Sequence, residues 1–393
     1  MAQREQRVTP LELFFDVVFV FALTQVTLLM SDDPTWPGLG RGLLVLAALW
    51  WAWTGYAWLT NTLEPEEGPV RAGMFAAMAA MIVVALAVPK AFDVHGVLFG
   101  AAYLIVRLLH LQLYAIAGKR DPDLLAAVLR MVPAAALGPL IIVAAGFFNG
   151  PAQGALWLVA LAVDYLGVLV GRGQGWRVSP AHFAERYGLI VIIALGESIV
   201  AIGVGAAGVS LTPSIVAAAV LGIVVVAALW WAYFDVYAVL SERQLAATSG
   251  AARVRLARDH YSYLHLPMIA GIVLFALGLK KTIEHVGDPL ATVPAVALCG
   301  GLSLYFLTHV AIRVRLVYAV RRANADVQPG ARPGWIGPGR LVTGLGMLAL
   351  LPAALELSAL TALALVTGLC CALIAYDVVR YREDRGRVRE ARP

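Results

Sequence analysis

Glu197 is the residue that most asks for chemistry, because it is a carboxylate set inside a long apolar run, SPAHFAERYGLIVIIALGESIVAIGVG (Ser179 to Gly205). A charge in hydrocarbon costs about 2.5–3.5 kcal/mol even on lenient insertion scales, so something inside the protein must offset it. Ser179-Pro180 reads as a helix start, with a side-chain acceptor for the free N–H groups and proline in the first helical position. At 1.5 Å per residue, Glu197 then lies roughly 15 Å beyond Tyr187, near a bilayer midplane. Asp164 and Arg107 fall at similar depth in other apolar runs, with His110 a turn from Arg107. One buried Arg–carboxylate pair would simply fix a bundle. Two acids against one base leave a carboxylate to bind a proton or a cation, which makes Glu197 and Asp164 coupling candidates and Arg107 their counter-charge.

Three further constellations are candidates. Thr9-Pro10-Leu11-Glu12 fits a capping box, and Asp16 stacks one turn deeper on the same face. The two carboxylates could hold a cation or a shared proton, or Asp16 could pair with an arginine of a neighbouring helix. His182, Glu185 and Arg186 share a face at spacings of three and four. Two metal ligands there would need more from elsewhere, and the favoured reading is an ion-pair network at the cytoplasmic interface, where charge costs little. Asp235, His265 and His309 group by depth near the inner ends of their runs. They could relay protons or be solvated at helix ends. Asp377 and Glu356 lie at span ends and call for no special role.

Those positions need helices that cross a membrane. Of 393 residues, 61% are hydrophobic and 14% charged, with mean hydropathy +0.79, against about 25% charged in soluble domains. The reading is an all-α polytopic membrane protein of about twelve spans, near 11–30, 40–60, 70–89, 94–117, 126–148, 154–172, 187–208, 213–239, 261–279, 290–312, 341–356 and 358–379. No secretory leader is expected in MAQREQRVTP, which runs on to Glu12 and Asp16. Cys299, Cys370 and Cys371 all lie in apolar runs and suggest no disulfide framework or zinc site.

Of the 30 Lys and Arg residues, 25 fall in segments on one side of this topology and 4 on the other, with Arg107 inside a span. The positive-inside rule then puts both termini in the cytoplasm. The same rule accounts for the formal charge of +5, so no nucleic-acid partner is implied. Trp50-Trp51-Ala52-Trp53 answers Trp230-Trp231-Ala232-Tyr233, Thr9-Pro10 answers Ser179-Pro180, and Ile82-Val83 before Lys90 answers Ile272-Val273 before Lys280. The shared order suggests two parallel six-helix repeats, 1–174 and 175–382, followed by a basic cytoplasmic tail, 383–393.

TPLELFFDVVFVFALTQ (Thr9 to Gln25) and HFAERYGLIVIIALGES (His182 to Ser198) resemble the signature segments of the bacterial low temperature requirement protein A family. The resemblance covers most of the chain and extends to its length and span count. It implies an integral membrane protein and points to Glu12, Asp16, His182, Glu185, Arg186 and Glu197 as signature polar positions, without assigning their roles. The family is named for a growth phenotype in the cold.

No G-x-S-x-G, Walker A or H-E-x-x-H pattern occurs. The leading expectation is a secondary-transporter-like protein of the bacterial inner membrane that moves a small solute or lipid-like molecule coupled to H⁺ or a cation. Asp16 would belong to its inner gate. Membrane lipids and a small-molecule or ion substrate are its expected partners, and no cofactor or metal is called for. The alternatives are a membrane-embedded enzyme acting on a lipid or isoprenoid, using Asp16, His182, Glu185 and Glu197, and a non-transporting scaffold or sensor. Reporter fusions after Pro393 and in the 241–258 loop should both read as cytoplasmic, and one near Asp33 as external. A periplasmic signal at the C-terminus would overturn the topology.

Overall fold

The computed structural model describes residues 7–63, 65–66, 68–119, 121–169, 175–322, 337–382 and 386. Eleven helical stretches among them are long and apolar enough to cross a membrane. A further helix, Gly150–Gly167, carries Gln153 and Asp164 within its 18 residues and falls outside that set. The chain is an all-α polytopic membrane protein. It divides into two compact units, Met1–Tyr187 with Thr248–Arg258, and Gly188–Ala247 with Asp259–Pro393.

In the first unit, α1 (Pro10–Asp32) packs on α2 (Trp36–Thr60) and α3 (Gly68–Ala87). Helix α4 (Gly96–Gly118) lies against α3 and α5 (Pro122–Ala145), and α6 (Gly150–Gly167) against α5 and α2. The first two turns of α7 (Pro180–Ala206) also belong to this unit. The pattern on α1 shows why it sits as it does. Glu12, Phe15, Asp16, Phe19 and Leu23 follow the three-and-four spacing of one helical stripe and are buried, while Leu13, Phe14 and Val17 point outward. An apolar outer face is what lipid requires, so here the buried stripe is free to be the polar one.

The second unit contains the rest of α7, then α8 (Pro213–Phe234), which continues as α9 (Tyr237–Ala247). The short α10 (Gly250–Leu256), assigned to the first unit, runs into a π-helical turn, Ala257–Tyr263, and then α11 (His265–Glu284). Helix α12 (Thr292–Arg322) pairs with α11 and with α13 (Gly337–Ala349). Pro352 sits at the start of α14 (Leu351–Glu356) and separates it from α13. Finally α15 (Ala359–Arg380) packs on α8 and α13.

The α11–α12 seam is built on missing side chains. A Cβ added at Gly271 would stand 2.6 Å from the Gly301 carbonyl oxygen, and one at Gly278 only 2.5 Å from the Leu298 nitrogen. Such close approach, with small residues at the crossing, is how helices associate where the solvent is itself apolar. Since the neighbours are backbone atoms, they have no rotamer with which to yield. Gly278→Ala should therefore lower the thermal midpoint of the detergent-purified protein by several degrees. Gly203→Ala, which meets nothing within 4 Å, should leave it unchanged. Equal midpoints for the two variants would contradict the seam.

Candidate functional site

Two helix starts bring four ionisable side chains together in the first unit. Thr9 caps α1: its hydroxyl accepts from the Glu12 backbone N–H, and Glu12 Oε2 accepts from the Thr9 N–H at 2.8 Å. At the start of α7 the Ser179 carbonyl accepts the first intrahelical bond, from Phe183 N–H at 3.0 Å. Three residues on from Ser179, His182 directs Nε2 to Glu12 Oε1 at 3.0 Å. One turn further, Arg186 forms a two-pronged pair with Asp16, Nη1 to Oδ2 at 3.0 Å and Nη2 to Oδ1 at 2.9 Å. Fork-to-fork geometry of this kind is the strongest and most directional ion pair available to a protein. The Trp53 indole N–H donates to Asp16 Oδ1 at 2.9 Å, and its ring lies 5.7 Å from the Arg186 guanidinium carbon.

All four groups are sealed. Glu12, His182 and Arg186 have no exposed surface and Asp16 has 1%. His182 and Arg186 do form ion pairs, but buried ones, where charge does not come at the low cost expected of an interface. The capping-box reading of Glu12 describes only half of its role, since its second oxygen takes the imidazole. Of the two readings of Asp16, the geometry is that of the arginine pair. Glu185 alone of its group faces outward, and its Oε2 accepts from the Val8 N–H at 3.2 Å. His182 and Glu185 therefore look to different partners. Among the described residues no group of three or more His, Cys, Asp or Glu side chains is placed to hold a metal.

The charges in this cluster do not balance. Among the described residues, Glu12 and Asp16 carry two negative charges against the single positive charge of Arg186. The Arg186 fork is spent on Asp16, and its Nε stands 3.7 Å from Glu12 Oε1 without a hydrogen-bond partner. His182 completes the coordination of Glu12 by hydrogen bonding rather than by fixed charge. Chemically the site can accept one proton, on carboxylate or imidazole, and become neutral.

Arg107 and Asp164 meet elsewhere in the same unit, Nη2 to Oδ1 at 2.9 Å, both buried. Gly138 on α5 makes room, since a Cβ there would lie 2.9 Å from the Asp164 carboxyl carbon. The carbonyls that Tyr103 and Tyr56 cap belong to Ala48 and Val106. This pair is closed, one acid to one base. Glu197 lies in the second unit with 2% of its surface exposed.

His265 and His309 are also in the second unit and have no exposed surface, which corrects their reading as solvated helix-end histidines. His265 Nδ1 donates to the His260 carbonyl at 3.0 Å and its Nε2 accepts from the Tyr233 hydroxyl at 3.0 Å. His309 Nδ1 donates to the Tyr305 carbonyl at 2.9 Å, and its ring packs 4.6 Å from those of Tyr237 and Tyr305. Asp235, grouped with them by depth, is half-buried. Sequence reasoning missed His260, which the π-helical turn swings into the cluster 5.3 Å from His265. It also missed the buried pair of Arg340 and Asp377 at 2.8 Å, whose second arginine nitrogen donates to the Ala232 carbonyl. Asp377 therefore does need a structural account, and Arg340 of α13 supplies it.

Residues 7–375 match the family described as bacterial low temperature requirement A protein. The chain is similar to the uncharacterized protein RA0937 of Rhizobium meliloti (strain 1021), with 32% identity over 294 residues, 70% of this chain and 69% of that one. No solved structure matches.

The geometry makes Arg186 the residue on which the cluster stands. Arg186→Met should cost about 3–5 kcal/mol, since it leaves two buried carboxylates uncompensated. Adding Asp16→Leu should restore much of that loss, because an apolar pair replaces an ionic one. Thermal unfolding of the purified variants checks this, and an Arg186→Met protein as stable as the parent would contradict the arrangement.

Proposed function

The chain belongs to the bacterial low temperature requirement A family, and we propose that it is a secondary-transporter-like protein that moves a small solute or lipid-like molecule coupled to H⁺. The observation that supports this reading is the charge imbalance at Glu12, Asp16, His182 and Arg186. A purely structural ion network gains nothing from a surplus buried acid, whereas a coupling site needs a group that gains and loses one charge. A proton suits the site better than a metal cation, because the Glu12 oxygens already accept from Thr9 and His182. Few lone pairs are left to coordinate an ion. In this reading Glu12 carries the coupling role with Glu197 as a second station. Asp164, answered by Arg107, is structural.

The topology that goes with it places both termini in the cytoplasm of a bacterial inner membrane, with repeated halves 1–174 and 175–382 and the tail 383–393. Matching internal neighbours support the repeat. In the first unit α2 packs on α6, α3 on α4 and α4 on α5; in the second α8 packs on α15, α11 on α12 and α12 on α13. Tyr103 of α4 donates to the Ala48 carbonyl of α2, and Tyr305 of α12 to the Leu229 carbonyl of α8. The last span of each half holds an aspartate paired to an arginine, Asp164 with Arg107 and Asp377 with Arg340.

Complementation of a cold-sensitive deletion strain tests the function. Glu12→Gln mimics the protonated carboxyl, so it should accumulate in the membrane at the parental level yet fail to restore growth in the cold. Glu197→Gln should behave alike. Full rescue by both variants would overturn the coupling role.

A further inference from the structure

Asn61, which follows the last residue of α2, reaches across to the start of α7. Its Oδ1 accepts from the Ser179 backbone N–H at 2.9 Å, which fixes the orientation of the amide: the flipped form would set an NH₂ group against that N–H. The Asn61 Nδ2 then has to face His182 Nδ1, at 3.1 Å, with the Ser179 carbonyl as a more distant second acceptor at 3.4 Å. An amide nitrogen can only donate, so His182 Nδ1 is the acceptor and carries no hydrogen. The ring proton is therefore on Nε2, where it is given to Glu12 Oε1.

We propose that Asn61 is a positioning residue that holds His182 as the neutral Nε2–H imidazole, so that the one proton the cluster takes up goes to the Glu12 carboxyl and not to the ring. A proton on Nδ1 would put N–H against N–H and force Asn61 to abandon either His182 or Ser179. Since those bonds tie the end of α2 to the start of α7, a positive imidazole and an intact tie exclude one another. The charged groups around the ring are Glu12 and Asp16 from α1 and Arg186 from α7 itself; Glu185 points outward, to Val8. Two acids close by would ordinarily draw a proton onto an imidazole. The amide donor of Asn61 opposes this at the nitrogen that would have to receive it. The inference rests on the coupling reading for its meaning, but its chemical content stands apart from transport.

Solid-state NMR of the full chain, labelled with ¹⁵N-histidine and reconstituted in lipid, tests it directly. Subtracting the spectrum of a His182→Gln protein isolates the two His182 nitrogens. The expected result at neutral pH is one bare nitrogen, Nδ1, and one N–H nitrogen, Nε2. In Asn61→Asp the new carboxylate accepts from Nδ1, so both nitrogens should become N–H. A wild-type His182 with its proton on Nδ1, or with both nitrogens protonated, overturns the proposal, and that reading needs no variant of Asn61 to fold. The two claims fail separately. A bare Nδ1 combined with full cold-growth rescue by Glu12→Gln and Glu197→Gln keeps the positioning role and removes the coupling function. A protonated Nδ1 with rescue lost in both variants does the reverse.

Discussion

The fork between Arg186 and Asp16 is the interaction on which the first unit depends. A guanidinium without water must have its charge answered within a few ångströms, and Asp16 does so with two bonds of 2.9 and 3.0 Å. That requirement fixes where the first turns of α7 lie against α1. Once they are there, Glu12 and His182, one turn earlier on their helices, come together with no further freedom. The aromatic wall follows from the same constraint. Trp53 must offer its indole N–H to Asp16, and Tyr187 closes edge-on against it at 4.9 Å between ring centroids. A change in the fork therefore reaches Glu12 and His182 without touching either of them.

Closed and open arrangements of charge divide the labour within the units. Arg107 with Asp164 and Arg340 with Asp377 each match one acid to one base. Pairs of this kind hold helices in register. Arg315 also pairs with Asp259 of the π-helical turn, at a part-exposed position. Among the described residues, the cluster at the helix starts differs by one charge. Its side-chain hydrogen bonds are made apart from that of Arg186 Nε.

Much of the fold was legible because membrane helices advertise themselves. Apolar runs of membrane length, cut by turn formers such as Asn149-Gly150-Pro151, place most helices within a few residues of their observed ends. The capping box at Thr9 to Glu12 was legible too, because it depends only on local spacing. The burial of His182 and Arg186 was not legible, because whether a helix start is wetted depends on what packs over it, here α1 and the end of α2. Asn61 gave no signal at all, since its meaning lies in a contact 121 residues away. His260 was hidden for another reason: a π-helical turn shifts the register of the residues it carries, and hydropathy does not encode that shift.

The central claim is that the buried cluster takes up one proton on Glu12. Infrared difference spectroscopy of the lipid-reconstituted protein, recorded as pH is lowered, reads this directly, because a protonated carboxyl has a carbonyl stretch that a carboxylate lacks. The account predicts that such a band grows on acidification, disappears in Glu12→Gln and persists in Asp164→Asn. A band that survives in Glu12→Gln unchanged, or no band in the wild-type protein, would contradict it.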